Sequence, residues 1–250
     1  MPIQLQLQYI DLIKKCYDLR DKYREDKLTA FWGRKGSLAK GDLMVVGRAV
    51  NGWDDAIWDK DELQDPKEMH PFVVQMRQKA ESSAQCPMHW INEYWQRTDG
   101  NYNVAKSHFW QAIKGVALGL GVAVSEDEWP SRIMWTNLYK VSPFDEGNPS
   151  TGLLELQREH CGDILRTEIG RWFPKRILML TDIDWALWFL QKFGATRVQV
   201  EGFKYVQWVG KMDIGLKEPA VIVVTSRPEG KPREPFVSEI MKAFELSTAS

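Results

Sequence analysis

Four short runs, at residues 43–46 (LMVV), 133–136 (IMWT), 177–180 (ILML) and 221–224 (VIVV), are continuously apolar. A half-exposed strand alternates and a surface helix repeats every three to four residues. An unbroken apolar run of this length suits a strand covered on both faces. Helical patterns lie between and around the runs, at residues 3–28, 72–80, 108–120, 153–172, 185–193 and 235–246. Strands alternating with helices predict parallel pairing, and so an α/β fold: a three-layer αβα sandwich with a mainly parallel central sheet, in which 43–46 is the central strand. A weaker alternating stretch at 197–209 predicts an antiparallel hairpin at the sheet edge. Residues 54–103 carry few periodic signals and predict an insertion over the sheet. With no repeat or linker, residues 1–250 are expected to form a single α/β domain.

Charge narrows the partners. Lys and Arg number 33 against 34 Asp and Glu, a net charge of -1, so no global basic field draws the chain to nucleic acid or anionic lipid, and a nucleic-acid surface would have to be a local patch. No apolar run reaches membrane-spanning length, and the N-terminal residues lack the basic start and apolar core of a secretory leader. Cys16, Cys86 and Cys161 are odd in number and far apart. The expectation is a cytoplasmic protein with no membrane partner. His70, His89, His108 and His160 are isolated, and no Walker, G-x-G-x-x-G or G-x-S-x-G pattern is present, so neither a metal nor a cofactor is expected.

In an open parallel sheet, ligands bind outside the carboxyl ends of the strands. The segments that follow the four runs are GRAVNGWDD, NLYKVSPFDEGN, TDIDWALW and TSRPEGKPRE. They place Asn51, Asp54, Asn137 and Arg227 after strands. Thr181 with Asp184, and Ser125 with Glu128, fit the pattern of a helix capping box. Most tryptophans, such as Trp110, Trp172, Trp185 and Trp188, fall in helical patterns and are expected in the core, whereas Trp53 and Trp58 stand in a loop where they could stack on a planar ligand.

The order of GRAVNG from Gly47, SHFWQAI from Ser107, TNLYKVSP from Thr136, ILMLTDIDWAL from Ile177 and TSRPEGK from Thr225 resembles the uracil-DNA glycosylase superfamily over residues 31–239. The resemblance implies that fold, and a cleft receiving a base flipped out of DNA. It implies that Asn137 reads the pyrimidine edge with an amide offering a donor and an acceptor, and that Tyr102 stacks on the base. Two loops depart from the family. The first lacks its Pro and its acidic or amide residue, and Arg227-Pro228-Glu229 stands where the family has His-Pro-Ser. Cys161 and Cys16 resemble two ligands of iron-sulfur members, but Val141 takes a third ligand position, so no cluster is expected.

The expectation is therefore a divergent glycosylase-like protein. If it hydrolyses the N-glycosidic bond, Asn51 or Asp54 holds the water, Arg227 and Asn137 stabilise charge on the base, and Lys140, Lys231 and Arg233 contact DNA phosphates. Two alternatives remain at this stage: a non-catalytic member of the same fold that binds a nucleobase, nucleic acid or protein partner, and an unrelated α/β enzyme acting on a small metabolite. The sequence sets no oligomeric state.

Overall fold

A computed structural model of the chain describes residues 2–81, 85–95, 97, 102–145, 147–199 and 201–248. In chain order the elements are α1 (Pro2–Asp18), β1 (Lys27–Ala30), β2 (Arg34–Lys35), β3 (Met44–Gly47), β4 (Ile57–Asp59), α2 (Pro66–Glu81), α3 (Trp90–Trp95), α4 (His108–Gly119) and α5 (Trp129–Arg132). They continue with β5 (Met134–Asn137), β6 (Val141–Pro143), α6 (Thr151–Trp172), β7 (Arg176–Met179), α7 (Ile183–Phe193), β8 (Thr196–Arg197), β9 (Val206–Met212), β10 (Ala220–Thr225) and α8 (Arg233–Thr248). Single 3-10 turns lie at Arg20–Lys22 and Val104–Lys106. The chain divides into two compact units. The first comprises Met1–Gly33, Gly47–Ser82 and Thr136–Arg171, and the second Arg34–Val46, Ser83–Trp135 and Trp172–Ser250.

The first unit holds a three-stranded antiparallel sheet of order β4-β1-β6 with helices α1, α2 and α6. Helix α1 buries Leu5, Tyr9, Leu12, Ile13 and Cys16, a stripe at helical spacing, and α2 buries Met69, Val73, Met76 and Ala80 in the same way. These two helices pack on each other. The N-terminal helix ends at Asp18, not near Leu28, because Leu28 and Ala30 are instead buried in a strand that pairs on both sides. On α6 the buried face carries Leu153, Gln157, Cys161, Ile164, Leu165 and Glu168.

The second unit is built on a seven-stranded sheet of order β2-β5-β3-β7-β10-β9-β8, whose strands β3 and β5 run past the unit boundaries in their last residues. Strands β3, β7 and β10 are parallel neighbours. Met134 N–H donates to Leu43 and Leu138 N–H to Gly47, steps in one direction that run β5 alongside β3. The expected mainly parallel three-layer sandwich is corrected here. The large sheet is mixed: β8 against β9 is the antiparallel edge hairpin expected at 197–209, but β2 against β5 and β9 against β10 are antiparallel as well, and the small sheet is wholly antiparallel. The physical reason is connection length. Residues 213–219 joining β9 to β10 are too few for a crossover, which takes a dozen residues or more, so the two strands must form a hairpin. The central strand of the seven is β7; β3, the expected centre, stands one place to its side. The segment 54–103 contributes β4 and α2 to the first unit and α3 to the second.

Candidate functional site

Asn137 is the last residue of β5 and is 2% exposed. Just beyond it, Leu138 N–H donates to the Gly47 carbonyl at 2.8 Å and Tyr139 N–H to the Arg48 carbonyl at 2.9 Å, so the segment after β5 runs beside the loop after β3. The Asn137 Nδ2 is buried and has no hydrogen-bond partner among the described residues. A buried amide left unpaired costs about 1–3 kcal/mol, which a ligand carrying an acceptor would recover.

Behind Asn137 lies a buried polar cluster. Lys140, fully buried, places its Nζ 2.7 Å from Glu168 Oε2 and donates to Thr136 Oγ1 at 2.5 Å, while the Thr136 hydroxyl donates to the same carboxylate oxygen at 2.7 Å. Lys140 N–H also donates to Cys161 Sγ at 3.3 Å. A phosphate contact by Lys140, expected from the sequence, is thereby corrected: an ammonium with no exposed surface and a carboxylate partner cannot reach a DNA backbone. Burial pushes the Cys161 thiol up to about 12 and, with the nearby Glu168 and Cys161, lifts the Tyr9 hydroxyl well above its ordinary range. Cys161 is therefore a neutral thiol rather than a thiolate ligand or nucleophile at neutral pH. Gln157 grips the backbone of Val141 from both sides, its Oε1 accepting from the Val141 N–H and its Nε2 donating to the Val141 carbonyl, each at 2.9 Å.

Asn51 is exposed, and its Oδ1 accepts from the Gly147 N–H at 2.9 Å, so the oxygen expected to hold a water is already engaged. Asp54, three residues on, is exposed and makes no hydrogen bond or ion pair among the described residues. Trp58, expected as a possible ligand platform, is buried and meets Phe72 edge to face, whereas Trp53 packs edge-on against Phe31 and keeps partial exposure. Trp110 and Trp172 are buried as expected, but Trp185 and Trp188 are only half-buried.

The remaining candidates belong to the second unit. Tyr102 is 54% exposed and lies near Ser107 and Trp110 at the start of α4. Arg227 is closed on Glu229 in a two-pronged pair, Nε to Oε2 at 3.0 Å and Nη2 to Oε1 at 2.9 Å, so its charge is met within its own loop rather than held open for a base. Burial raises the Glu229 carboxyl, but hydrogen bonds from Arg227 and from its own backbone N–H, with the Arg227 charge, outweigh it, and the net displacement is downward. A carboxyl lowered in the folded state supplies stability that is present above its unfolded value and lost as the pH falls through the lower folded one. Titration of the Glu229 carboxyl carbon by NMR should therefore give a midpoint below that of an unfolded-chain Glu; a midpoint at or above it would show that the pair does not persist in solution.

Lys231 follows in the same loop, its N–H donating to the Pro228 carbonyl, and its side chain makes no ion pair among the described residues. Arg233 opens α8 beside a cleft of about 650 Å³ between α4 and α8, where Trp95, Leu118 and Met241 form the apolar wall and a 2.8 Å Lys114–Glu126 pair the rim.

Neither expected capping box forms. Asp182, not Thr181, is the N-cap of α7, Thr181 Oγ1 bonds the Asp182 carbonyl, and the Ile183 N–H is satisfied by Gln207 Oε1 at 2.8 Å from β9. Glu128, not Ser125, stands at the N-cap position of α5, and its side chain makes no capping hydrogen bond. Asp182 holds φ 66° and ψ 150°, backbone territory proper to glycine that costs other residues about 1–3 kcal/mol. Asp182→Gly is expected to stabilise the protein by about 1 kcal/mol, after the extra unfolded-state entropy of glycine is subtracted, and to raise the urea midpoint. A lowered midpoint would show that the Asp182 side chain contributes more than its backbone costs.

No protein-family model matches this chain, and neither does any of the curated proteins. Among the described residues no helix is long and apolar enough to cross a membrane, and no group of three His, Cys, Asp or Glu side chains is placed to hold a metal ion.

Proposed function

We propose that the chain binds a nucleobase, with the Asn137 amide reading its hydrogen-bonding edge. The carrying observation is the unpartnered Asn137 Nδ2, buried at the end of β5 where the loop after β3 runs alongside. The edge of uracil presents adjacent acceptors and a donor, which one amide meets with its own donor and acceptor. The resemblance of TNLYKVSP to the uracil-DNA glycosylase motif supports the same reading, with a flipped base in DNA as the source and the cytoplasm as the setting. Lys140, fully buried, takes no part in phosphate contacts.

Hydrolysis of the glycosidic bond is a second reading. Asn51 and Arg227 are engaged within the protein, and the observation favouring hydrolysis is Asp54, an unpaired carboxylate in the same loop as Asn51. Calorimetric titration with uracil, and with single-stranded DNA carrying one uracil, tests both. Saturable binding is the expected result. Released uracil, lost in Asp54→Asn, would add hydrolysis to binding. Absence of binding to the free base and to the DNA would overturn the proposal.

A further inference from the structure

We infer that Lys140 and Glu168 are positioning residues for Asn137: together with Thr136 they fasten the turn that carries the base-reading amide. The inference rests on the base-binding reading. Thr136 immediately precedes Asn137 in β5, and consecutive residues of a strand project to opposite faces, so the Thr136 hydroxyl and the Asn137 amide leave the strand on opposite sides. Lys140 returns across the turn and its Nζ reaches Thr136 Oγ1 and Glu168 Oε2 together, joining the two ends of residues 136–140 to helix α6. The backbone is held at each intervening step, with Leu138 bonded to Gly47, Tyr139 to Arg48, and the Lys140 carbonyl accepting from the Phe31 N–H at 2.8 Å.

Every polar link in this segment is thus committed to the fold, while the Asn137 Nδ2 is left unpaired. That is the arrangement of a preorganised site, in which a functional group stands ready because its support, not its own hydrogen bonds, fixes it. Retaining a fully buried charge pair is otherwise hard to rationalise, since apolar residues of similar volume often serve stability as well or better. Glu168 Oε1 has no partner among the described residues, so the pair is not fully satisfied in its own right.

The test uses the full-length, isotope-labelled chain and two readouts, uracil affinity and the side-chain amide signals of Asn137, assigned by their loss in Asn137→Ala. Lys140→Met combined with Glu168→Gln removes both charges at once. The expected result is a cooperatively folded protein that binds uracil at least tenfold more weakly and whose Asn137 amide protons exchange faster with solvent. In an Asn137→Ala background the same two changes should cost no further affinity, which a general structural role would not predict. Wild-type affinity with unchanged amide signals, or equal losses with and without Asn137, would overturn the inference. If the double variant fails to fold, Thr136→Val, which severs only the hydroxyl link, is read by the same criteria. If the unaltered protein binds no uracil, the base-binding reading fails, and the amide signals alone decide whether the pair positions Asn137.

Discussion

Asn137→Ala is expected to weaken uracil binding by about 30- to 150-fold without lowering stability. One amide makes a donor and an acceptor contact with the base, worth about 2–3 kcal/mol together, and each 1.4 kcal/mol is about a factor of ten in affinity. In the free protein the same Nδ2 is buried and unpaired, so deleting it removes a desolvation cost of about 1–3 kcal/mol, offset in part by the small cavity left behind. Asn137→Leu fills that cavity and is expected to gain about 1 kcal/mol while abolishing binding. Urea unfolding at constant m, measured beside calorimetric binding, checks both signs. A variant that loses stability and affinity in proportion would mean that the amide is structural.

The single replacements at the buried pair should behave very differently from the joint one. Lys140→Met leaves the Glu168 carboxylate buried without its cation, and Glu168→Gln leaves the Lys140 ammonium without its anion. Each is expected to cost about 3–5 kcal/mol. The double variant buries no charge and should recover most of that loss, giving a coupling of several kcal/mol between sites 28 residues apart in sequence. Additive losses in urea denaturation would mean that the two groups do not share a dry environment in solution.

The interior strands were legible because burial on both faces leaves an unbroken apolar run, and residues 43–46, 133–136, 177–180 and 221–224 fall within one residue of β3, β5, β7 and β10. Strands that break the run were not. β1, β4 and β6 are three or four residues long and interrupt their apolar positions with Lys27, Thr29, Asp59 and Ser142, so the whole antiparallel sheet of the first unit went unseen. The alternating stretch at 197–209 signalled the antiparallel β8–β9 edge, but the direction of β9 against β10 was missed because an apolar run carries no orientation; the short connection at 213–219 did carry it.

The sequence placed Asn137 after a strand, and it is the last residue of β5. Lys140 was misread because lysine is rarely buried unless paired, and its partner sits in a distant helix. A signal existed: Gln157, Cys161 and Glu168 share a face of α6 with Leu153, Ile164 and Leu165, and a glutamate on such a face needs a buried cation. The Arg227–Glu229 closure depends on the turn of its loop, which residue order alone does not set.

Each unit gathers three separated stretches of chain, and this bears on how the protein is made. In the first unit both oxygens of the Glu25 carboxylate accept from Ser150, one from its N–H and one from its hydroxyl, just before α6 begins. At about 5–20 residues per second of synthesis, Glu25 waits about 6–25 s for a partner 125 residues away. Helices α1 and α2 can meet early and Trp32 can stack on Tyr9, but Cys161 and Glu168 of α6, which also lie near Tyr9, emerge far later. Sequence-distant contacts of this kind slow folding, so the first unit stays incomplete on the nascent chain for seconds, long enough for a chaperone to engage it.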